Sequence, residues 1–188
     1  MTKNILILGV LSILFIQCNK DKDPFLITKS EIGSLSKTIK INQLDSIFSK
    51  DSIVPLLSKE VFLSQGGQVE IYEKGGTKLL LLSPITDNDP ESKISNIQIF
   101  DDRYKTEKGL HLNSTFKDLR EKYTISSIQN GLSSLVISLV ESDVYVTISK
   151  EVLPESLRNE FGLKIDASDI PDDAKFKFFM VGWENQEE

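Results

Sequence analysis

One histidine, one cysteine and 28 aspartate and glutamate side chains are the groups through which this 188-residue chain could carry chemistry. Any Ser-His-Asp arrangement would have to use His111. That histidine stands in a polar turn ahead of a helical stretch, where a surface or capping role is expected. A metal site built on two histidines is excluded by the count. Cys18, equally alone, excludes an intramolecular disulfide and a multi-thiolate metal site. Asp87-Asn88-Asp89-Pro90-Glu91 sets carboxylates at alternate positions, as a calcium loop begins. Ser92 then stands where the loop needs glycine and Gln98 where it needs glutamate, so the pattern fails. Asp166, Asp169, Asp172 and Asp173 read as a solvated loop. Two acids flanking a glycosidic bond need a cleft, and no pair stands out in the sequence.

Ser34-Leu35-Ser36-Lys37 matches the S-x-x-K of penicillin-binding serine enzymes. Neither S-D-N nor K-T-G follows, and Lys74-Gly75-Gly76-Thr77 does not replace the latter. Phosphate-cradling glycine loops and a dinucleotide fingerprint are missing. The expectation is therefore a non-enzyme with no catalytic, cofactor-binding or metal-ligating residue. The formal charge is −6. Removing Met1 to Gln17 takes away one lysine and no acid, leaving −7. An acidic body without a basic cluster repels phosphate backbones, so no nucleic-acid partner is expected. The same charge disfavours adsorption onto anionic lipid, and membrane residence would need a covalent anchor.

Such an anchor is legible at the N-terminus. Lys3 precedes an apolar run, Ile5 to Ile16. As a helix these twelve residues rise about 18 Å, short of the roughly 30 Å hydrocarbon core, which fits a signal peptide over residues 1–17. Leu14-Phe15-Ile16-Gln17-Cys18 follows and resembles the lipobox of bacterial lipoproteins, with Gln17 in place of the usual small residue and Phe15 in place of leucine. The resemblance implies lipidation of Cys18 and cleavage ahead of it. Acyl chains contribute about 0.8 kcal/mol per buried methylene, enough for lasting attachment when two or three are present. Residues 18–24 then form the lipidated cysteine and a tether, and six extended residues reach only about 20 Å. Asn19 is not the aspartate that retains lipoproteins at the enteric inner membrane, which points to the outer membrane.

The remainder, 25–188, is expected to be one α+β domain of antiparallel sheet with a few short helices. Its composition, 39% hydrophobic and 27% charged, suits a core of ordinary size. The pattern allows two similar helix-plus-meander halves, 25–104 and 105–188. In the first, Gly33 precedes Ile41, Leu44, Ile47 and Phe48 at helical spacing. In the second, Gly109 precedes Phe116, Leu119 and Tyr123, with Thr115 and Asp118 as a capping pair. Strands are expected at 61–64, 68–72, 77–83 and 94–100, then at 125–129, 132–140, 144–148 and 176–183. Leu79 to Leu82 reads as a strand covered on both faces, and Asn130-Gly131 as a two-residue hairpin turn. A short helix is expected from Pro154 to Phe161, closed by Gly162.

Gly33-Ser34-Leu35 through Phe48, Ile97 through Arg103 and Gly109 through Tyr123 together resemble the RpoE-regulated lipoprotein family. That family has an I-G-P-L turn, an E-D-N-R strand end and a G-x-P-L-G-T turn. Here Ser34 replaces its proline, Asp101-Asp102-Arg103 matches the acidic-arginine element, and Asn113 replaces its second glycine. The resemblance implies an envelope lipoprotein and transfers no catalytic residue. The function expected is a membrane-anchored binding or assembly module, with an envelope protein as partner. The alternative is a carrier of a small amphipathic ligand such as a lipid.

Overall fold

A computed structural model describes residues 23–56, 67–158 and 162–183. The described residues begin with three two-residue strands, β1 (Leu26–Ile27), β2 (Glu31–Ile32) and β3 (Leu35–Ser36), joined by tight turns. Gly33 adopts a left-handed φ of 57° between the last two. A Cβ there would lie 2.0 Å from the Pro24 carbonyl oxygen, so only glycine fits. A 3-10 turn, Ile41–Gln43, leads into α1 (Leu44–Ile47). Then come β4 (Ser52–Pro55), β5 (Val69–Tyr72), β6 (Lys78–Pro84) and β7 (Ile94–Ile99). The chain continues through β8 (Lys105–Thr106), α2 (Phe116–Lys122), β9 (Ile125–Asn130), β10 (Ser134–Leu139), β11 (Val144–Ser149), α3 (Glu155–Arg158) and β12 (Phe178–Gly182), with one short strand before its helix where the first half has three, and with α3 inserted before its last strand.

Two sheets result. The small one runs β3-β2-β1-β8, and the large one runs β4-β5-β6-β7-β12-β11-β10-β9. Every pair in the large sheet is antiparallel. Each half contributes a four-strand meander, and the last strands of the two meanders, β7 and β12, pair at the centre. The halves also share a strap. Ile41 N donates to Ser92 O and Asn42 N to Pro90 O, both at 3.0 Å, while Phe116 N donates to Ala174 O and Lys117 N to Asp172 O, both at 2.9 Å. In each case the start of the helix is tied to the loop that feeds the last strand of its meander.

Alternation decides the layers. One row across the sheet, Ile71, Leu80, Ile99, Phe179, Val146 and Ile137, is cross-strand paired and 0–1% exposed. Leu35, Leu44, Leu110, Phe116 and Leu119 bury against this side, together with Leu153, Ile165, Ile170 and Phe176 from the loops. The small sheet and the helices thus cover one face. The other face carries no second layer among the described residues: Glu70, Leu81, Gln98, Met180, Tyr145 and Ser138 form its central row and are all half-exposed.

Several expectations are corrected by this layering. Leu79–Leu82 is not covered on both faces. A bulge where Tyr72 pairs with Lys78 turns Leu79 and Leu80 both inward, and Leu81 faces out. The β9–β10 hairpin does not turn at Asn130-Gly131. Asn130 still pairs with Leu135, and Gly131 N donates to Ser134 O at 3.0 Å, which leaves Leu132 and Ser133 at the tip. Gly131 is needed because a Cβ would come within 2.8 Å of Ser134 O. The strand expected at 61–64 lies outside the described residues, and β4 begins the first meander upstream of it. The end of the expected 154–161 helix also lies outside them, after the single turn of α3. The small sheet was not expected at all.

The capping pair at α2 forms as expected. Thr115 N donates to Asp118 Oδ2 (2.7 Å), and Asp118 N donates to Thr115 Oγ1 (3.2 Å). The Thr115 backbone N–H, with its hydroxyl, holds the Asp118 carboxyl below the usual carboxylate range. Thr115→Ala is expected to cost about 1 kcal/mol and to lower the melting temperature by about 3 °C in a domain of this size, read by calorimetry. No change in melting temperature would mean the cap carries no stability.

Candidate functional site

The uncovered sheet face holds a hollow of about 480 Å³ over β7, β12, β11, β10 and β9. Its centre is Tyr145, which projects outward from β11. Gly182 on β12 lies diagonally beside it, and a Cβ there would meet Tyr145 Cε1 at 3.3 Å. The missing side chain lets the tyrosine lean across β12 toward β7. Its hydroxyl there accepts from Asn96 Nδ2 (2.8 Å) and donates to Asn96 Oδ1 (3.1 Å). Ser95, Ser138, Ser142, Gln129 and Val136 complete the walls. The charged group at the rim, Asp143, forms an ion pair with Lys37. Ser95 Oγ donates to the carbonyls of Ser83 and Pro84 at 3.2 Å each, and Ser142 Oγ accepts from Val144 N at 3.1 Å.

A second cluster joins the start of the domain to the large sheet. Arg103 donates from Nε to Asp101 Oδ1 (2.9 Å), from Nη2 to Asp101 Oδ2 (2.8 Å) and from Nη1 to Glu73 Oε1 (2.9 Å). Its guanidinium lies 4.3 Å from the Phe25 ring centroid, and Phe25 meets Tyr104 edge-on at 5.0 Å. The hydrogen bonds from Arg103 hold the Asp101 carboxyl below the usual range although it is buried. Burial, followed by the nearby Asp101 and Asp51 charges, pushes the Tyr104 phenol well above its ordinary value. The arrangement is a clamp: two carboxylates take three of the five guanidinium N–H donors and offset its charge, so the arginine serves the fold first. A smaller hollow of about 210 Å³ lies between Thr28, Thr106, Lys108 and Ser142. Lys108 Nζ there donates to Lys122 O at 3.0 Å and sits 4.6 Å from the Tyr123 ring centroid.

The residues weighed from sequence do not assemble a catalytic set. His111 Nδ1 is buried with no hydrogen-bond partner, so neither a serine nor a carboxylate addresses it. Ser34 is exposed on its turn, and Lys37 is engaged by Asp143 rather than by Ser34. Glu91 accepts from Lys40 at 2.7 Å and from Asn42, which ties the 87–91 loop to the first helix. Asp169 Oδ2 accepts from Asp166 N at 2.9 Å, and Asp172 pairs with Arg120. Among the described residues no three of the histidine, cysteine and acid side chains stand close enough to hold a metal ion. No described helix is long and apolar enough to cross a membrane. Cys18 lies outside the described residues.

Sequence reading missed Tyr145, Gly182 and Asn96. Val144 to Ile148 reads only as an alternating strand, and the neighbours of Tyr145 are fixed by register. The available signal was Gly182 inside a strand, which marks a close approach by another group.

By fold the chain is α+β: an open, eight-stranded antiparallel sheet of two meanders, backed on one face by a small sheet and short helices. No protein-family model matches it, and no curated protein does. Among solved structures it is similar to the uncharacterized protein YfeY from Escherichia coli, with a TM-score of 0.51 over 83% of this chain and 98% of that chain. At 15% identity the likeness is one of fold, and it extends over nearly all of the Escherichia coli chain.

Proposed function

We propose that this chain is a lipid-anchored protein of the bacterial cell envelope, held through Cys18, whose domain is a non-enzymatic binding module. Support for the module comes from one observation above all. Among the described residues the eight-stranded sheet is covered on one face, which leaves the other free for contact, and that face carries a hollow walled by amides, hydroxyls and one phenol. Support for the anchor comes from the brief apolar run, the lone cysteine at its end and the short tether. Asn19 favours the outer membrane, and the tether keeps the domain near the bilayer. A lipid carrier would need an enclosed apolar chamber. The space between the sheet and its cover is instead filled by side chains such as Leu80, Phe116 and Phe179, all 0% exposed, which favours contact at the surface over carriage inside.

Two measurements test this reading. In cells fed labelled palmitate, Cys18→Ser is expected to abolish labelling and to release the protein from the membrane fraction. A native protein that begins upstream of Cys18, or that carries no fatty acid, overturns the anchor. A photo-crosslinking side chain at Ser138, on the uncovered face, should capture an envelope partner in intact cells. The same group at Lys117, exposed on α2, should not. Equal capture from both positions, or capture from neither, removes the binding face.

A further inference from the structure

We propose that the hollow over Tyr145 binds a neutral, polyhydroxylated ligand, a sugar unit of an oligosaccharide. The proposal rests on the binding-module reading and names the class of ligand taken by that face. Three features of the hollow carry it. First, Tyr145 is held in place by its paired hydrogen bonds to Asn96 and by the space that Gly182 leaves, so an aromatic surface lines the hollow without further ordering. A fixed ring costs little entropy on binding and can take the C–H face of a pyranose. Second, the walls are neutral. Gln129 and Ser138 each offer both donor and acceptor groups, and Ser142, whose hydroxyl oxygen accepts from Val144 N, still has its hydroxyl hydrogen to donate, which suits a run of hydroxyls on adjacent carbons.

Third, the charge balance excludes the other polar classes. Asp143 supplies the charge in this lining, and Lys37 neutralises it. Among the described lining residues a phosphate or carboxylate ligand would meet no free cation, and a cationic ligand would meet no unpaired acid. A purely apolar ligand would leave the amides and hydroxyls desolvated without partners. The volume, about 480 Å³, falls in the usual range of small-ligand sites. The hollow lies on an open sheet face, so a longer glycan can continue past it on either side.

The test is saturation-transfer NMR and calorimetric titration of the full chain in detergent micelles. The probes are chitotetraose and maltotetraose, which are neutral, and a sulfated tetrasaccharide of similar length. At least one neutral probe is expected to bind with a dissociation constant below about 1 mM, and the sulfated probe more weakly. Ser138→Arg fills the hollow from a half-exposed position and should weaken binding about tenfold while leaving the melting temperature unchanged. Tyr145→Phe keeps the ring but frees it from Asn96, and should weaken binding about threefold. The proposal is overturned if neither neutral probe shows transfer at about 10 mM, if Ser138→Arg binds as the native chain does, or if the sulfated probe binds most tightly. Crosslinks from Ser138 that persist without sugar binding remove this ligand class alone. Loss of both results removes the binding face itself.

Discussion

Phe179→Ala is expected to cost about 3–5 kcal/mol of folding stability, the largest effect among single side-chain truncations in the sheet. Phe179 is 0% exposed and stacks on Phe176 at 6.2 Å between centroids. It sits between Ile99 of β7 and Val146 of β11, so it packs where the two meanders meet. Its strand, β12, links both halves in the large sheet. A domain with 5–15 kcal/mol of total stability would lose a large share of it, and the melting temperature should fall by about 10 °C. The neighbouring Phe178→Ala supplies the contrast. Phe178 points to the uncovered face at 39% exposure, and its truncation should cost under about 1 kcal/mol. Urea titrations followed by the fluorescence of Trp183, the single tryptophan, measure both variants. Equal costs for the two would mean that β12 does not alternate as described.

That contrast also marks how far the sequence alone could reach. The strand expected at 176–183 was legible from its apolar content, a local property, but not its phase: Phe178, next to Lys177, faces out and Phe179 faces the core. Thr115 with Asp118 indicated a helix start for the same reason, since the cap lies within one turn. What escaped reading depends on partners distant in sequence or on elements too short to have a period. Two-residue strands such as Leu26–Ile27 cannot display alternation, and the small sheet exists through pairing with β8, far along the chain. The four-leucine run gave no sign that a bulge opposite Tyr72 would turn two consecutive residues inward. At Asn130-Gly131 the preferred turn dipeptide was present. Pairing nevertheless continued past it, because Gly131 serves the close approach of Ser134 O. The hollow is the extreme case. Tyr145 and Asn96 are 49 residues apart in sequence, and only the meeting of β7 with β12 brings Asn96, Gly182 and Tyr145 together.

The cluster around Arg103 shows the reverse, a motif legible in sequence whose role only the structure supplies. Asp101-Asp102-Arg103 resembles a family element, and in the fold it fastens Phe25 to the segment that follows β7. Asp101→Asn is expected to destabilise the domain by about 2 kcal/mol at neutral pH. The Asp101 side chain is 8% exposed, whereas Arg103 is 41% exposed, so solvent screening keeps the cost below that of a fully buried pair. The cost should depend on pH in one direction. Hydrogen bonds from Arg103 lower the folded-state pKa of Asp101. Its carboxylate therefore contributes fully above the unfolded-state value of about 4, and loses that contribution as pH falls through the lower folded-state value. The gap between native and variant chains should be constant from pH 7 to about 5 and close on further acidification. Glu73→Gln removes the outer partner of the same arginine, where both side chains are 41% exposed, and should cost under about 1 kcal/mol. Urea titrations across this pH range decide the matter. A gap for Asp101→Asn that stays constant into acid would mean the clamp is held by shape and hydrogen bonding with no contribution from the charge, and Phe25 would then depend on its ring contacts alone.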